Sequence, residues 1–186
     1  MSKYEAIHFV DTEQAVWNYS LFSDEDVHAF QHGTHSTLYQ LFGNKQIEVL
    51  GVHGTYFSVW APNATAVFVK GNFNDWNNEA HPLKVRQESS GIWEGFIPNI
   101  GKGEMYKYAI HSSNGQLYEK GDPYARQWEL PPATASYVWN DAYEWNDKTW
   151  MQKRIAHNQY HEYANPASLH HCVFHPGSNY PNSMWE

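Results

Sequence analysis

Apolar and polar positions alternate in short runs through the middle of the chain, and turn residues separate these runs. Residues 55–60 and 66–70 are rich in β-branched and aromatic side chains, which favour strands. Turn residues recur at positions 62–63, 71–78, 89–91, 98–103 and 113–115. Short, regular spacing of this kind is typical of two packed sheets. Residues 51–120 are therefore predicted to form an all-β sandwich.

One strand of this region is predicted to have two different faces. Alternate residues from Tyr106 to Ile110 are large and apolar, so we expect them to face the core. Lys107 should then lie on the outer face. The dipeptide Asn114-Gly115 follows this strand and predicts a hairpin, because both residue types tolerate the positive φ angles of a type I′ turn.

The first 50 residues are predicted to be an N-terminal extension with short helices. Residues 1–22 mix aromatic and acidic side chains without a clear period. Ser23 precedes three acidic residues, an arrangement typical of a helix start, and Gly33 is expected to end that helix. Residues 36–42 predict a second short helix, closed by Gly43.

The alternation is lost after residue 120. Residues 121–154 are predicted to be a linker, with a last strand at 137–139 and a short helix over 147–154. Residues 155–186 contain no Lys or Arg and five of the chain's 12 His, and they show neither a helical nor a strand period. We expect this last stretch to be a disordered tail.

Composition narrows the classes of function. The formal net charge of −8 argues against nucleic acid and anionic membranes as partners, since both require basic surfaces. The chain has 9 Trp and 13 Tyr, enough for an aromatic binding surface. Its single cysteine, Cys172, fits a reducing compartment, and no signal peptide or membrane span is recognisable. These features predict a cytoplasmic protein.

Trp76 is the main candidate for a binding residue. It follows a polar loop that contains Asn74 and Asp75, and an aromatic ring in such a loop can stack on the apolar face of a sugar. Alternatively, Trp76 only covers the end of the sandwich core. Lys107 could donate to a sugar hydroxyl, although most lysines in this position are simply solvated.

Other kinds of site are not favoured. His28, His32 and His35 have helical spacing, but Gly33 interrupts the helix and no acidic or cysteine ligand completes a set, so surface histidines are the preferred interpretation. We expect no metal and no cofactor. Glycosidic bond cleavage needs two carboxyl groups about 5–9 Å apart, and no pattern identifies such a pair.

Several ordered motifs resemble a known family. The loop Gly71-Asn72-Phe73-Asn74-Asp75-Trp76 is similar to the glucan-facing loop of family 48 carbohydrate-binding modules. Further motifs of that family stand at 54–64, 91–94, 106–108 and 120–125. The segments at 33–35, 39, 42–43, 134–136 and 145–147 resemble the surroundings of this module in bacterial 1,4-α-glucan branching enzymes. The resemblance covers roughly residues 23–154 and is greatest to the N-terminal part of those enzymes.

The resemblance implies an immunoglobulin-like β-sandwich whose partner is an α-1,4-glucan or glycogen. It also implies that Trp76 is a stacking ring and Lys107 a hydroxyl donor, and Asn74 of the same loop is a further candidate for glucan binding. Related starch-binding modules have a second Trp after the hairpin, and Tyr118 is the candidate to replace it here.

The family's catalytic barrel would begin after residue 154, where this chain departs from the family pattern. We therefore expect a glucan-binding module of a truncated branching enzyme of glycogen biosynthesis, without activity of its own. The tail would then be the product of truncation or a frame shift. An alternative is an interaction module that docks on a separately encoded family 13 barrel, without glucan affinity. An independent glycosidase is the least favoured possibility.

Overall fold

The computed structural model describes residues 11–87, 89–140 and 146–157. The chain divides into two compact units, Met1–Asp141 and Ala142–Glu186. Within the described residues no helix is both long and apolar enough to cross a membrane.

The first unit contains two antiparallel sheets and confirms the predicted immunoglobulin-like sandwich. Its strands are β1 (Gly43–Val49), β2 (Val52–Trp60), β3 (Ala64–Gly71), β4 (Lys84–Val85), β5 (Ile92–Pro98), β6 (Met105–Ser112), β7 (Leu117–Lys120), β8 (Gln127–Trp128) and β9 (Ser136–Tyr137). The first sheet has the order β1-β2-β5-β4, and the second has the order β3-β6-β9-β8. Strand β7 also pairs with β6.

The main core lies between the two sheets. Phe57 and Val59 of β2 pack there with Tyr106 and Tyr108 of β6. Tyr106 and Tyr108 are fully buried, as the alternating pattern of β6 predicts. This packing leaves Lys107 on the outer face of the second sheet, as expected.

The other face of the first sheet is also buried, because the N-terminal segment covers it. Trp17 pairs with Phe96 through two backbone hydrogen bonds of 2.7 and 3.0 Å. Phe22 and Val27 pack against Ile92 of β5. The predicted N-terminal extension is therefore part of the same unit as the sandwich, and the sandwich begins at β1, before the expected boundary at residue 51. Burial on both faces explains why β2 and β5 contain consecutive large apolar residues, such as Tyr56-Phe57 and Phe96-Ile97.

Helix α1 (Asp24–Gln31) begins and ends where the sequence predicts. The Ser23 hydroxyl accepts a 3.2 Å hydrogen bond from the Asp26 backbone, and the Asp26 carboxylate accepts a 3.0 Å bond from the Ser23 backbone. Gly33 ends the helix with a φ of +67°. The second predicted helix is reduced to one 3₁₀ turn, Leu38–Gln40, and Gly43 begins β1 instead of closing a helix.

The β6–β7 hairpin differs from the expected type I′ turn. Gly115 has a φ of +81°, but Asn114 is not among the residues with positive φ. The Gly115 amide donates to the Ser112 carbonyl at 2.9 Å, and the Ser112 amide donates to Gln116 at 2.9 Å. The turn is thus a three-residue loop with glycine in the left-handed position.

The second sheet continues into the predicted linker. Strands β8 and β9 lie beyond residue 120, and buried Asp122 accepts a 2.5 Å hydrogen bond from the Tyr106 hydroxyl. The Asp122 amide donates to the Ser136 hydroxyl at 2.9 Å. These contacts to the core make residues 122–137 part of the sandwich, although their sequence has no strand alternation.

The second unit contains helix α2 (Lys148–His157). The Met151 amide donates to the Asp147 carbonyl at 2.8 Å, which agrees with the predicted start at Asp147. The helix continues three residues beyond the expected end at 154, so residues 155–157 are helical and not part of a tail. The prediction of disorder for 158–186, including Cys172, lies outside the described residues.

Candidate functional site

The loop after β3 places Trp76 at the end of the second sheet. A 3₁₀ turn, Asn72–Asn74, leads into Asp75 and Trp76, whose φ angles are +52° and +58°. Left-handed backbone at a residue other than glycine costs about 1 kcal/mol or more. The Trp76 amide donates to the Gly71 carbonyl at 2.9 Å, which closes the loop. Two consecutive strained residues thus fix the direction of the indole.

The side chain of Asn74 supports this loop from inside. Its Oδ1 accepts from the Gly71 amide at 2.9 Å, and its Nδ2 lies 3.0 Å from the Val69 carbonyl and 2.8 Å from His81 Nδ1. Because a backbone amide can only donate, Nδ2 must donate to His81, and His81 Nδ1 must be unprotonated. Burial lowers the pKa of His81, which favours this neutral form.

Lys70 connects Trp76 to strand β7. Its Nζ lies 6.0 Å from the centroid of the Trp76 ring, within range of a cation–π interaction. The same ammonium donates to Asn78 at 2.7 Å and to the Glu119 carboxylate at 2.6 Å. Lys70 is only 6% exposed, so this pair is shielded from water on the lysine side. Lys70 therefore holds both the loop and the ring against the sheet.

Lys107 lies directly opposite Lys70 in the β3–β6 pair. Residues paired in this way point to the same face, with their Cβ atoms about 5 Å apart. Lys107 is half-buried, and its ammonium has no hydrogen-bond or ion-pair partner among residues 11–87, 89–140 and 146–157. The structure thus brings Trp76 and Lys107 together around Lys70, and Lys107 has donors available for a ligand.

Tyr118 does not join this group. It is paired with Ile110, so the register places it on the sheet face opposite to Lys107. Its ring is 38% exposed, and its hydroxyl contacts Gln116. The residues of β7 that lie on the same face as Lys107 are Leu117 and Glu119. A role for Tyr118 in sugar binding stays a prediction.

We call the outer surface formed by Trp76, Lys107, Lys70 and Glu119 the loop face. Sequence reasoning missed Lys70 and Glu119. Lys70 shares the alternation of β3 with Phe68, which marks it as an outer residue. Its pairing with Glu119 depends on the register of β6 and β7, which the sequence does not specify.

The loop face is suited to binding. An indole, an available ammonium and an ion-paired carboxylate can contact a neutral polar ligand. The buried carboxyls elsewhere have structural partners: Glu94 bonds to Tyr56, and Asp122 bonds to Tyr106. Burial raises the pKa of both carboxyls. Among the residues the structure describes, no group of three or more His, Cys, Asp and Glu could hold a metal ion.

Gly71→Ala is expected to disrupt the loop. A Cβ at this position would lie 2.1 Å from the Met105 carbonyl oxygen and 2.6 Å from the Phe73 ring. Because the Met105 oxygen belongs to the backbone of β6, the strand pair itself must shift, at a cost of about 1–3 kcal/mol. Urea unfolding should show this loss as a lower free energy of unfolding. Gly101→Ala, where a Cβ meets nothing within 4 Å, is the control; equal stability of the two variants would contradict the close packing at Gly71.

The stretch of sequence that carries the loop face matches a known protein family. Residues 41–125 match the family described as "Carbohydrate-binding module 48 (Isoamylase N-terminal domain)". This match confirms the predicted resemblance to family 48 carbohydrate-binding modules over these residues. It includes every residue of the loop face.

Relatives of this chain include 1,4-alpha-glucan branching enzymes GlgB. The protein of Trichodesmium erythraeum is 45% identical over 150 residues, which are 80% of this chain and 19% of that enzyme. The protein of Corynebacterium diphtheriae is 41% identical over 154 residues, 81% of this chain and 20% of that enzyme. The chain therefore spans about a fifth of the length of the curated relatives it matches. A pullulanase of Klebsiella pneumoniae complexed with maltotriose is 27% identical over 62% of this chain and 11% of that one, with a TM-score of 0.45.

Proposed function

We propose that the first unit binds α-1,4-glucan, such as glycogen, through the loop face, as part of branching in glycogen biosynthesis. The observation that supports this most is that the Trp76 indole, held by strained backbone and by Lys70, is brought together with the available ammonium of Lys107. The relatives' names support the choice of an α-glucan over other polysaccharides.

Each residue of the loop face has a separate task in this proposal. Trp76 stacks on the apolar face of one glucose ring, and Lys107 donates to hydroxyl groups at the ring's edge. Lys70 and Glu119 hold the indole in position, since their own charges already satisfy each other at 2.6 Å. Asn74 shapes the loop through its three internal hydrogen bonds, and its Oδ1 keeps one acceptor site for a sugar hydroxyl.

The proposal assigns binding, not cleavage, to this face. Cleavage needs two carboxyl groups on either side of the glycosidic bond. Glu119, the acidic side chain on this face of β7, is paired with Lys70 and supports the platform instead.

Titration with maltoheptaose, followed by tryptophan fluorescence, tests this function. We expect a saturable change with a dissociation constant on the order of 1 mM, because one stacked ring and a few solvated hydrogen bonds give weak binding. The β-linked cellohexaose is the ligand control and should bind more weakly. An absent response would reject glucan binding and favour the alternative, docking on a separately encoded family 13 barrel.

Lys107→Met should weaken maltoheptaose binding about three- to tenfold, because one charge-assisted hydrogen bond is lost. The free energy of unfolding should change little, since Lys107 has no partner among the described residues. Lys84→Met removes the same charge from exposed β4 in the first sheet and is the matched control. If both variants bind equally well, the ligand does not contact Lys107.

A further inference from the structure

A cavity lies away from the loop face, beside strand β1. Its volume is about 280 Å³. The side chains with polar groups or an indole in its lining include Gln40, Lys45, Gln46, Arg126, Trp139 and Asn140. None of the described residues that line it is acidic.

Two cations meet at this cavity in a protein with a net charge of −8. Lys45 Nζ donates to the Phe42 carbonyl at 2.6 Å and to the Asn44 carbonyl at 3.3 Å, which leaves one of its three N–H groups. Burial, followed by repulsion from Arg126, lowers the pKa of Lys45 to about 8. Asp122, the other charged group that acts on Lys45, raises this pKa and so opposes the shift only in part.

We propose that this cavity binds the phosphate group of a small sugar phosphate. A phosphate between Lys45 and Arg126 would neutralise their repulsion, and the planar guanidinium can donate two parallel bonds to it. The side-chain amides of Gln40, Gln46 and Asn140 offer donors and acceptors for sugar hydroxyls. A cavity of this size, just below the usual range for ligand pockets, fits one sugar ring and not an oligosaccharide.

Calorimetric titration of the full chain at low ionic strength tests the site with three probes. Glucose 6-phosphate should bind most tightly, inorganic phosphate more weakly, and glucose without measurable heat. Equal affinity for the two phosphates would support the anion site and identify free phosphate as its ligand. No heat with either phosphate would overturn the proposal.

Arg126→Gln should weaken phosphate binding at least tenfold, and this exposed residue can be replaced without affecting the core. Arg154→Gln, on exposed α2, removes the same charge and should bind like the wild type. Binding that is unaffected by Arg126→Gln, or equally weakened in both variants, would overturn the proposal. Maltoheptaose affinity should be unchanged in Arg126→Gln, so failure here is distinct from failure of the loop face.

Sulfate, which stays a dianion, provides a separate test through pH. Only protonated Lys45 attracts the anion, and its pKa is about 8, so affinity should fall about fivefold between pH 8 and pH 9. Lys45→Met should bind sulfate more weakly, and its affinity should not fall between pH 8 and pH 9. An equal fall in affinity in Lys45→Met would show that another group titrates and would contradict the assignment of Lys45.

Discussion

Glu94→Ala is expected to lower the free energy of unfolding by about 3–5 kcal/mol, because it breaks a buried ion pair. Glu94 is 5% exposed and accepts hydrogen bonds from Tyr56 at 2.5 Å, Arg86 at 2.9 Å and Ser20 at 2.9 Å. These partners come from β2, from the segment after β4 and from the N-terminal segment. The substitution therefore removes one polar connection between the first sheet and its N-terminal cover. Urea unfolding at neutral pH measures the loss.

Two further variants define the cause of this loss. Glu94→Gln keeps an oxygen for the Tyr56 hydroxyl and should be destabilised less than the alanine variant. Glu48→Ala removes an exposed carboxylate that lies 3.4 Å from His53, and its effect should stay below about 0.5 kcal/mol. A Glu94→Ala protein as stable as Glu48→Ala would show that the hydrogen bonds of Glu94 contribute little to holding the N-terminal segment.

Trp76→Ala is expected to reduce maltoheptaose affinity at least tenfold, to the point where millimolar binding is no longer measurable. The indole supplies the only aromatic ring that we assign to sugar contact, since Tyr118 lies on the other face. Stacking on a large aromatic side chain contributes about 1–3 kcal/mol per ring by the analogy of nucleobases. Retardation in an amylose-containing native gel measures this effect without relying on fluorescence.

The control for Trp76→Ala is Trp150→Ala, which removes a 57% exposed indole from the second unit. We expect the Trp150 variant to be retarded like the wild type. Both proteins should unfold cooperatively, because neither ring belongs to the main core. Unchanged retardation of Trp76→Ala would place the glucan elsewhere on the chain.

Local sequence signals predicted much of the fold. Helix α1 follows from Ser23 and Gly33, whose roles depend on neighbouring backbone only. The two faces of β6 follow from strict alternation around Lys107. The polar loop that breaks the pattern of β3 indicates Trp76 as a candidate, and the structure adds the left-handed backbone that directs the ring.

Features that depend on long-range pairing could not be predicted from the sequence. The contact between Lys70 and Glu119 joins residues 49 positions apart, and the register of β6 and β7 creates it. The same register decides that Tyr118 faces away from Lys107. Residues 16–42 cover the first sheet through scattered apolar side chains, such as Trp17 and Phe22, which have no period of their own.

The central claim, that glucan binds on the loop face, is tested most directly by ¹H–¹⁵N NMR during a maltoheptaose titration. The account predicts that the indole N–H of Trp76 and the amides of residues 72–78 and 105–109 shift together, with one midpoint near 1 mM. The indole N–H groups of Trp17 and Trp93, which lie in the buried cores, should stay in place. Shifts confined to residues outside the loop face, or no shifts at all, would contradict it.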